Sequence, residues 1–135
     1  MRITALAGGI GGARFLRGLL AHLHESLPDG HGGTTAEVTV IGNTGDDIWL
    51  YGVKICPDLD SVMYTLGEAI DPERGWGRAG ESWRIKEQLA LYGAEPTWFG
   101  LGDLDIATHL VRTRMLDAGY PLSDVTAALC DRWQP

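Results

Sequence analysis

Four glycines in five positions, inside Ala7-Gly8-Gly9-Ile10-Gly11-Gly12-Ala13-Arg14, constrain this 135-residue chain more than any other feature. A short apolar run, Arg2 to Leu6, precedes them, and Phe15, Leu16, Leu19, Leu20 and Leu23 follow at helical spacing. The order is strand, turn, helix. At the start of such a helix the backbone N–H groups point outward unpaired, and the helix dipole adds partial positive charge, so a phosphate is stabilised there. Gly8, Gly9, Gly11 and Gly12 are the candidate phosphate-binding positions. The competing reading is a tight turn that needs glycine only for positive φ.

The turn fits neither common nucleotide fingerprint. Counted from Gly9, G-x-G-x-x-G places Arg14 where a third small residue belongs, and a P-loop needs Gly-Lys-Ser or Gly-Lys-Thr where this chain has Ala13-Arg14-Phe15. Arg14 is left with two roles, reaching a phosphate itself or standing solvated on the first helical turn.

Ser26 to Glu37 is rich in Gly, Pro, Asp and Thr and reads as a loop, and Val38 to Ile41 reads as a second buried strand. Two short strands joined through a helix make a parallel βαβ unit with a right-handed crossover. Ligands in such sheets gather at the C-terminal strand ends. The glycine turn and Gly42-Asn43-Thr44-Gly45-Asp46-Asp47 are therefore expected to face one crevice.

Beyond residue 56 the pattern is helical. Asp58 or Asp60 is placed to cap a helix through Leu66, Glu81 to Tyr92 forms one stopped by Gly93, Asp103 caps one to Ala118 before Gly119, and Ser123 caps a last one towards Trp133. The expected class is α/β, a Rossmann-like parallel sheet beginning with a βαβ unit and followed by a helical insert or cap. Residues 1–55 form the nucleotide-binding core and 56–135 a mainly helical segment of the same domain. Two strands are too few for a doubly wound sheet, so the chain is expected to be the N-terminal part of a longer, truncated domain.

A formal charge of -7 argues against nucleic acid as a partner, because phosphate-backbone affinity needs a basic surface. An anionic ligand must instead be held locally, by dipoles, single arginines or a metal bridged by carboxylates. Asp46, Asp47, Asp58 and Asp60 supply carboxylates in loops at the strand ends, and Mg²⁺ is commonly bound by one or two carboxylates plus phosphate. One of them can also orient an attacking hydroxyl. The plainer roles are helix capping for Asp58 and Asp60 and a simple turn for Asp46-Asp47.

Between Asp103 and Ala118, Asp105, Thr108, His109 and Arg112 share one helical arc, with Ile106, Ala107, Leu110 and Val111 opposite. Alone, that arc reads as a solvated face with His109 paired to Asp105. Cys56 and Cys130 are too far apart in sequence to indicate zinc or a disulfide framework. The N-terminal apolar run is too short for a signal peptide or membrane span, which makes the cytoplasm the expected compartment and leaves no membrane partner. The numerous aromatics belong mostly to the core, with one or two free to stack on a flat heterocycle.

Taken together, Ala7 to Phe15, Asn43-Thr44-Gly45-Asp46-Asp47, Cys56-Pro57-Asp58-Leu59-Asp60 and Leu101 to Leu110 resemble the 2-phospho-L-lactate transferase family of coenzyme F-420 biosynthesis, CofD, or FbiA in actinobacteria. The resemblance runs the length of the chain. It implies transfer of a phospholactyl or phosphoenolpyruvyl group from a guanosine-diphosphate-activated donor to the deazaflavin alcohol Fo, releasing GMP, by a homodimeric enzyme that uses Mg²⁺. It further implies Gly8, Gly9, Gly11 and Gly12 on the donor phosphates, where Arg14 stands as the candidate side chain read from the turn itself, and Asp47, Asp58 and Asp60 on the metal. Asp60 and Asp47 become the catalytic candidates, with Asp60, His109 and Arg112 on the acceptor. Leu104 and Gly100 depart from the family, many of whose members carry arginine at the first and a basic residue near the second. The alternative is a non-catalytic nucleotide-binding regulator of the related gluconeogenesis-factor type.

Overall fold

In a computed structural model describing residues 1–134, strand β1 (Arg2–Ala7), helix α1 (Ile10–Ser26) and strand β2 (Glu37–Gly42) open the chain. The two strands are parallel, in register from Arg2↔Glu37 to Ala7↔Gly42, and so form the expected βαβ unit. Side chains alternate across the sheet. Ala7 is buried and Ile3, Ala5, Val38 and Val40 are half-buried, whereas the paired Leu6 and Ile41 on the other face are 81% and 54% exposed. Helix α1 packs on β1 and buries Ala13, Leu16 and Leu23.

Next comes an antiparallel hairpin, β3 (Ile48–Leu50) and β4 (Val53–Ile55), where the sequence pattern shows no strand. Its two-residue turn, Tyr51-Gly52, has positive φ at both positions, the geometry that matches strand twist. Tyrosine is not a usual residue there. Its hydroxyl donates to Pro96 O at 2.9 Å, which anchors the turn to a distant loop. Residues 1–55 therefore hold the hairpin as well as the βαβ unit.

Helices α2 (Pro57–Leu66), α3 (Arg84–Leu91), α4 (Asp103–Asp117) and α5 (Leu122–Trp133) complete the fold. All four lie where helices are expected, although α2 and α5 begin ahead of their expected caps and the caps themselves are redistributed. Asp58 and Asp60 lie inside the first turn of α2 rather than capping it, and Ser123 lies inside α5 after Pro121. Asp103 does not cap its own helix. Its carboxylate accepts from Ile85 N and Arg84 N at the start of α3, while Glu81, expected within that helix, accepts from Leu104 N and Asp105 N at the start of α4. The two helix starts cap each other. Gly102 makes this possible, because a Cβ there would lie about 2.0 Å from the Glu81 carboxyl carbon.

Helix α2 packs on α1 and β2, and α5 closes against α2 and α4. Among the described residues no helix is long and apolar enough to cross a membrane.

Candidate functional site

The C-terminal ends of β1 and β2 carry the glycine turn and the Asn43–Asp47 loop side by side, joined where Asn43 N donates to Ala7 O at 3.0 Å. None of Gly8, Gly9, Gly11 and Gly12 has positive φ, so the turn does not need glycine for left-handed backbone. Close approach is what it needs. A Cβ on Gly12 would meet Ala7 at 3.1 Å, and one on Gly9 would sit 2.7 Å from Asp58 Oδ1. Helix α1 starts at Gly9 with no side-chain cap and no acidic residue in its first turn, which leaves its first amides without an internal acceptor.

Asp58 reaches this turn from α2, and Asn43 holds it there. The Asn43 amide Nδ2 donates to Asp58 Oδ2 at 2.8 Å and to Asp46 Oδ2 at 3.0 Å, gathering two carboxylates beside the uncapped helix start. Asp47 points elsewhere. Its Oδ2 accepts from the buried Cys56 thiol at 3.3 Å, and its Oδ1 is buried without a partner. Burial, with that hydrogen bond, pushes the Cys56 thiol up to about 12.

Asp60 belongs to a second cluster. On a helix, residues two apart point about 200° away from each other, so with Asp58 at the glycine turn Asp60 faces inward. Both of its carboxylate oxygens accept from the Arg112 guanidinium, Oδ2 at 3.2 Å from Nη1 and Oδ1 from Nη2. Burial raises the Asp60 carboxyl against the pull of Arg112. Arg112 Nη1 also lies 3.1 Å from His109 Nδ1. A guanidinium only donates, so Nδ1 is the acceptor and the proton sits on Nε2. That nitrogen lies 3.2 Å from Asp105 Oδ2 but outside hydrogen-bonding geometry, a buried donor with no aligned partner. Tyr64 donates to Asp105 Oδ1 at 2.7 Å, and its hydroxyl also lies 2.7 Å from Thr108 Oγ1. Burial works to raise Asp105, yet the adjacent His109 ring and the hydrogen bond from Tyr64 outweigh it and hold the carboxyl below its usual range.

Asp47, Asp58 and Asp60 thus do not converge on one point. Among the described residues the group whose ligand atoms come within 4.8 Å of one another is Asp60, Asp105 and His109. Arg112 already supplies the cation there, and a divalent ion beside a permanently charged guanidinium is disfavoured. The pair Asp46 and Asp58 carries no such competitor. Arg14 also lies away from the turn, its Nη2 packed where a Cβ of Gly75 would stand, in a small cleft shared with Arg17 and Asp71.

A cavity of about 300 Å³ opens beside the second cluster, lined by Asp60, Tyr64, Asp105 and His109 and walled by Trp76, Trp98, Phe99 and Leu101. His109 reaches it, whereas Arg112 stays behind Asp60. The sequence places Asn43 at the crevice and pairs Asp105 with His109, but gives neither a site role, and it does not single out Tyr64, Trp76 and Trp98 from the other aromatics. Only the folded arrangement brings Asn43 to Asp58, fifteen positions away, and Tyr64 to Asp105.

The 2-phospho-L-lactate transferase CofD family model matches residues 3–135. Proteins named phosphoenolpyruvate transferase are similar along the chain: 66% identical in Streptomyces avermitilis over 100% of this chain and 39% of the relative, 63% in Thermobifida fusca over 100% and 41%, and 59% in Mycobacterium sp. strain KMS over 100% and 42%. The chain spans about two fifths of the length of these curated relatives. With an uncapped glycine turn, Asp58 against it and a separate aromatic cavity, and with a family match over nearly every residue, the chain belongs to the CofD family of 2-phospho-L-lactate transferases.

Proposed function

We propose that the complete protein transfers a phosphoenolpyruvyl group, or its phospholactyl counterpart, from a guanosine-diphosphate-activated donor to the alcohol Fo, releasing GMP. The names of the relatives favour the enolpyruvyl donor. The observation that carries the reading is Asp58, fixed by Asn43 against the uncapped start of α1 at 2.8 Å. A carboxylate beside an anion site is repulsive unless a cation lies between them. The oxygen-only donor set of Asp46 and Asp58, with Asp47 keeping one buried unpartnered oxygen nearby in the chain, fits Mg²⁺. When bound, Mg²⁺ supplies charge neutralisation to the phosphates.

The chain's own groups divide the remaining work. Backbone amides of the Gly8–Gly12 turn hold the donor phosphates, in line with the helix dipole. The aromatic cavity takes the flat acceptor, and His109 Nε2–H offers it a hydrogen bond. Positioning of donor and acceptor then supplies much of the rate. The full-length protein is read as a homodimer.

Incubating the complete protein with Fo, the enolpyruvyl donor and Mg²⁺ tests this directly. GMP release with consumption of Fo is expected; nucleotide binding without turnover overturns the transferase in favour of a regulator.

A further inference from the structure

Tyr51 stands where its side chain makes the backbone unfavourable. Its φ of 51° is left-handed, a conformation that a bulky residue resists and that asparagine before glycine adopts readily in a two-residue hairpin turn. Strain of that kind persists only where the surroundings over-determine it. Here the surroundings are residues 95–101, which carry Trp98, Phe99, Gly100 and Leu101 to the aromatic cavity. Among the described residues, one hydrogen bond reaches that segment from elsewhere in the chain, the Tyr51 hydroxyl to Pro96 O at 2.9 Å. The Tyr51 ring supports the same segment, sharing with Pro96, Thr97, Phe99 and Leu101 a cleft of only about 20 Å³. Phe99 and Leu101 border both spaces, with Tyr51 on one and the cavity on the other. Trp98 is 79% exposed, so packing alone gives it little hold.

We infer that Tyr51 is a positioning residue for the acceptor: from the tip of the β3–β4 hairpin it holds residues 95–101 in place, so that Trp98 and Phe99 stand as a wall of the aromatic cavity. The hairpin is a firm base for such a tether. Lys54 N donates to Thr113 Oγ1 of α4 at 2.9 Å, and the Cys56 thiol donates to Asp47 Oδ2 across the foot of the hairpin at 3.3 Å. Strand β3 follows directly on the Asn43–Asp47 loop, so the strut that steadies the acceptor wall springs from the donor side of the site. Tyr51 does not line the cavity, and its influence on a ligand there passes through Pro96, Phe99 and Leu101. Only the naming of the acceptor as the occupant of the cavity rests on the proposed function.

Two variants of the complete protein separate the tether from the turn. Tyr51→Phe keeps the ring and the left-handed backbone but removes the donor to Pro96 O. Tyr51→Asn removes ring and donor while giving the turn its favoured Asn-Gly sequence. With 5-fluorotryptophan in place of tryptophan, and the Trp98 ¹⁹F resonance assigned through Trp98→Phe, Tyr51→Phe is expected to shift or broaden that resonance without any ligand. The resonance of Trp133, packed against Tyr64, is expected to stay in place. In turnover with Fo, the enolpyruvyl donor and Mg²⁺, Tyr51→Phe is expected to raise the acceptor KM about threefold to tenfold, the range of one lost hydrogen bond, with kcat and the donor KM within about twofold. Tyr51→Asn is expected to raise the acceptor KM at least as far in a protein that still folds. An unmoved Trp98 resonance in Tyr51→Phe, or an acceptor KM unaltered in both variants, overturns the inference and leaves Tyr51 a turn residue. A loss confined to kcat or to the donor KM also overturns it, in favour of an effect on the Asn43–Asp47 loop. Failure of the transferase reading shows differently, as no GMP from the unaltered enzyme while the Trp98 resonance still moves in Tyr51→Phe.

Discussion

Helices α1 and α4 are both long and both lie against the core, yet they bury opposite kinds of residue. Helix α1 turns Ala13, Leu16 and Leu23 inward. Helix α4 buries Thr108, His109, Arg112 and Thr113, while Leu110 and Val111 are 51% and 48% exposed. In α1 burial is driven by removal of apolar surface from water. In α4 it is tolerated because most polar atoms on the inward face find partners: Asp60 and Lys54 O for Arg112, Lys54 N and His109 O for Thr113, and Tyr64 for Thr108. A helix with a polar inner face is stable only while that network stays whole.

The largest expected effect tests that difference. Arg112→Met strands the buried Asp60 carboxylate and is expected to lose about 3–5 kcal/mol in denaturant unfolding, the usual cost of removing one partner of a buried pair. Leu16→Ala, the matching lesion in α1, is expected to cost about 2–5 kcal/mol through its cavity. Exchanging both partners separates the helices. Asp60→Leu with Arg112→Leu is expected to recover most of the single-variant loss, whereas no second substitution elsewhere restores the Leu16 cavity. If Arg112→Met alone costs under about 1 kcal/mol, α4 does not bury a working ion pair and the contrast fails.

The helix starts sharpen the comparison. Helix α4 has two first-turn amides capped by Glu81, at 2.7 and 3.1 Å, while α1 has no cap. Glu81→Ala is expected to cost about 1 kcal/mol, in the range of lost N-caps, and Gly102→Ala to cost a similar amount by pushing Glu81 away. Equal thermal shifts in the two variants, and no further loss when they are combined, would show that both act on one cap. Helix α1 forgoes such a cap where the proposed phosphates bind, so saturating phosphate is expected to raise its melting temperature.

These contrasts also mark what the sequence made legible. The βαβ unit could be read because glycine turn, apolar strand and helical period agree with one another. The polar arc of α4 was legible as a stripe, but periodicity says only that two faces differ. Which face turns inward depended on Asp60 and Lys54 arriving from other elements, so the solvated face expected from the sequence is in fact the buried one. The hairpin was hidden by three-residue strands and a Tyr-Gly turn that needs its distant tether to Pro96. At the site, Asp58 beside the turn was within reach of the reading, but the parting of Asp58 from Asp60 required knowing that both lie inside one helical turn.

A smaller effect, confined to acid, comes from Asp105. Its carboxyl is held below the usual range in the folded chain, against burial, by His109 and Tyr64. The folded state therefore binds fewer protons than the unfolded state near the ordinary carboxylate pKa of about 4. Its stabilisation is complete above that pH and is lost as pH falls through the lowered value. Asp105→Asn is expected to flatten the pH dependence of unfolding below about pH 4 and to leave its shape near neutrality unaltered. No counterpart exists on the inward face of α1, so Leu16→Ala should shift stability equally at every pH.

The smallest effect falls on the outward face of α4, and it tests the inversion from the other side. Leu110 and Val111 have the residue types of a core but half of their surface remains in water. Leu110→Gln and Val111→Thr remove little buried apolar area and leave no polar atom unpaired, so each is expected to change unfolding free energy by less than about 0.5 kcal/mol in this chain. Leu23→Gln in α1, with the same change of chemistry at a buried position, should cost several times more. Should Leu110→Gln prove as damaging as Leu23→Gln, α4 is rotated from the orientation that places His109 and Arg112 inside. Both the Asp60–Arg112 ion pair and the His109 edge of the cavity would then fall with it.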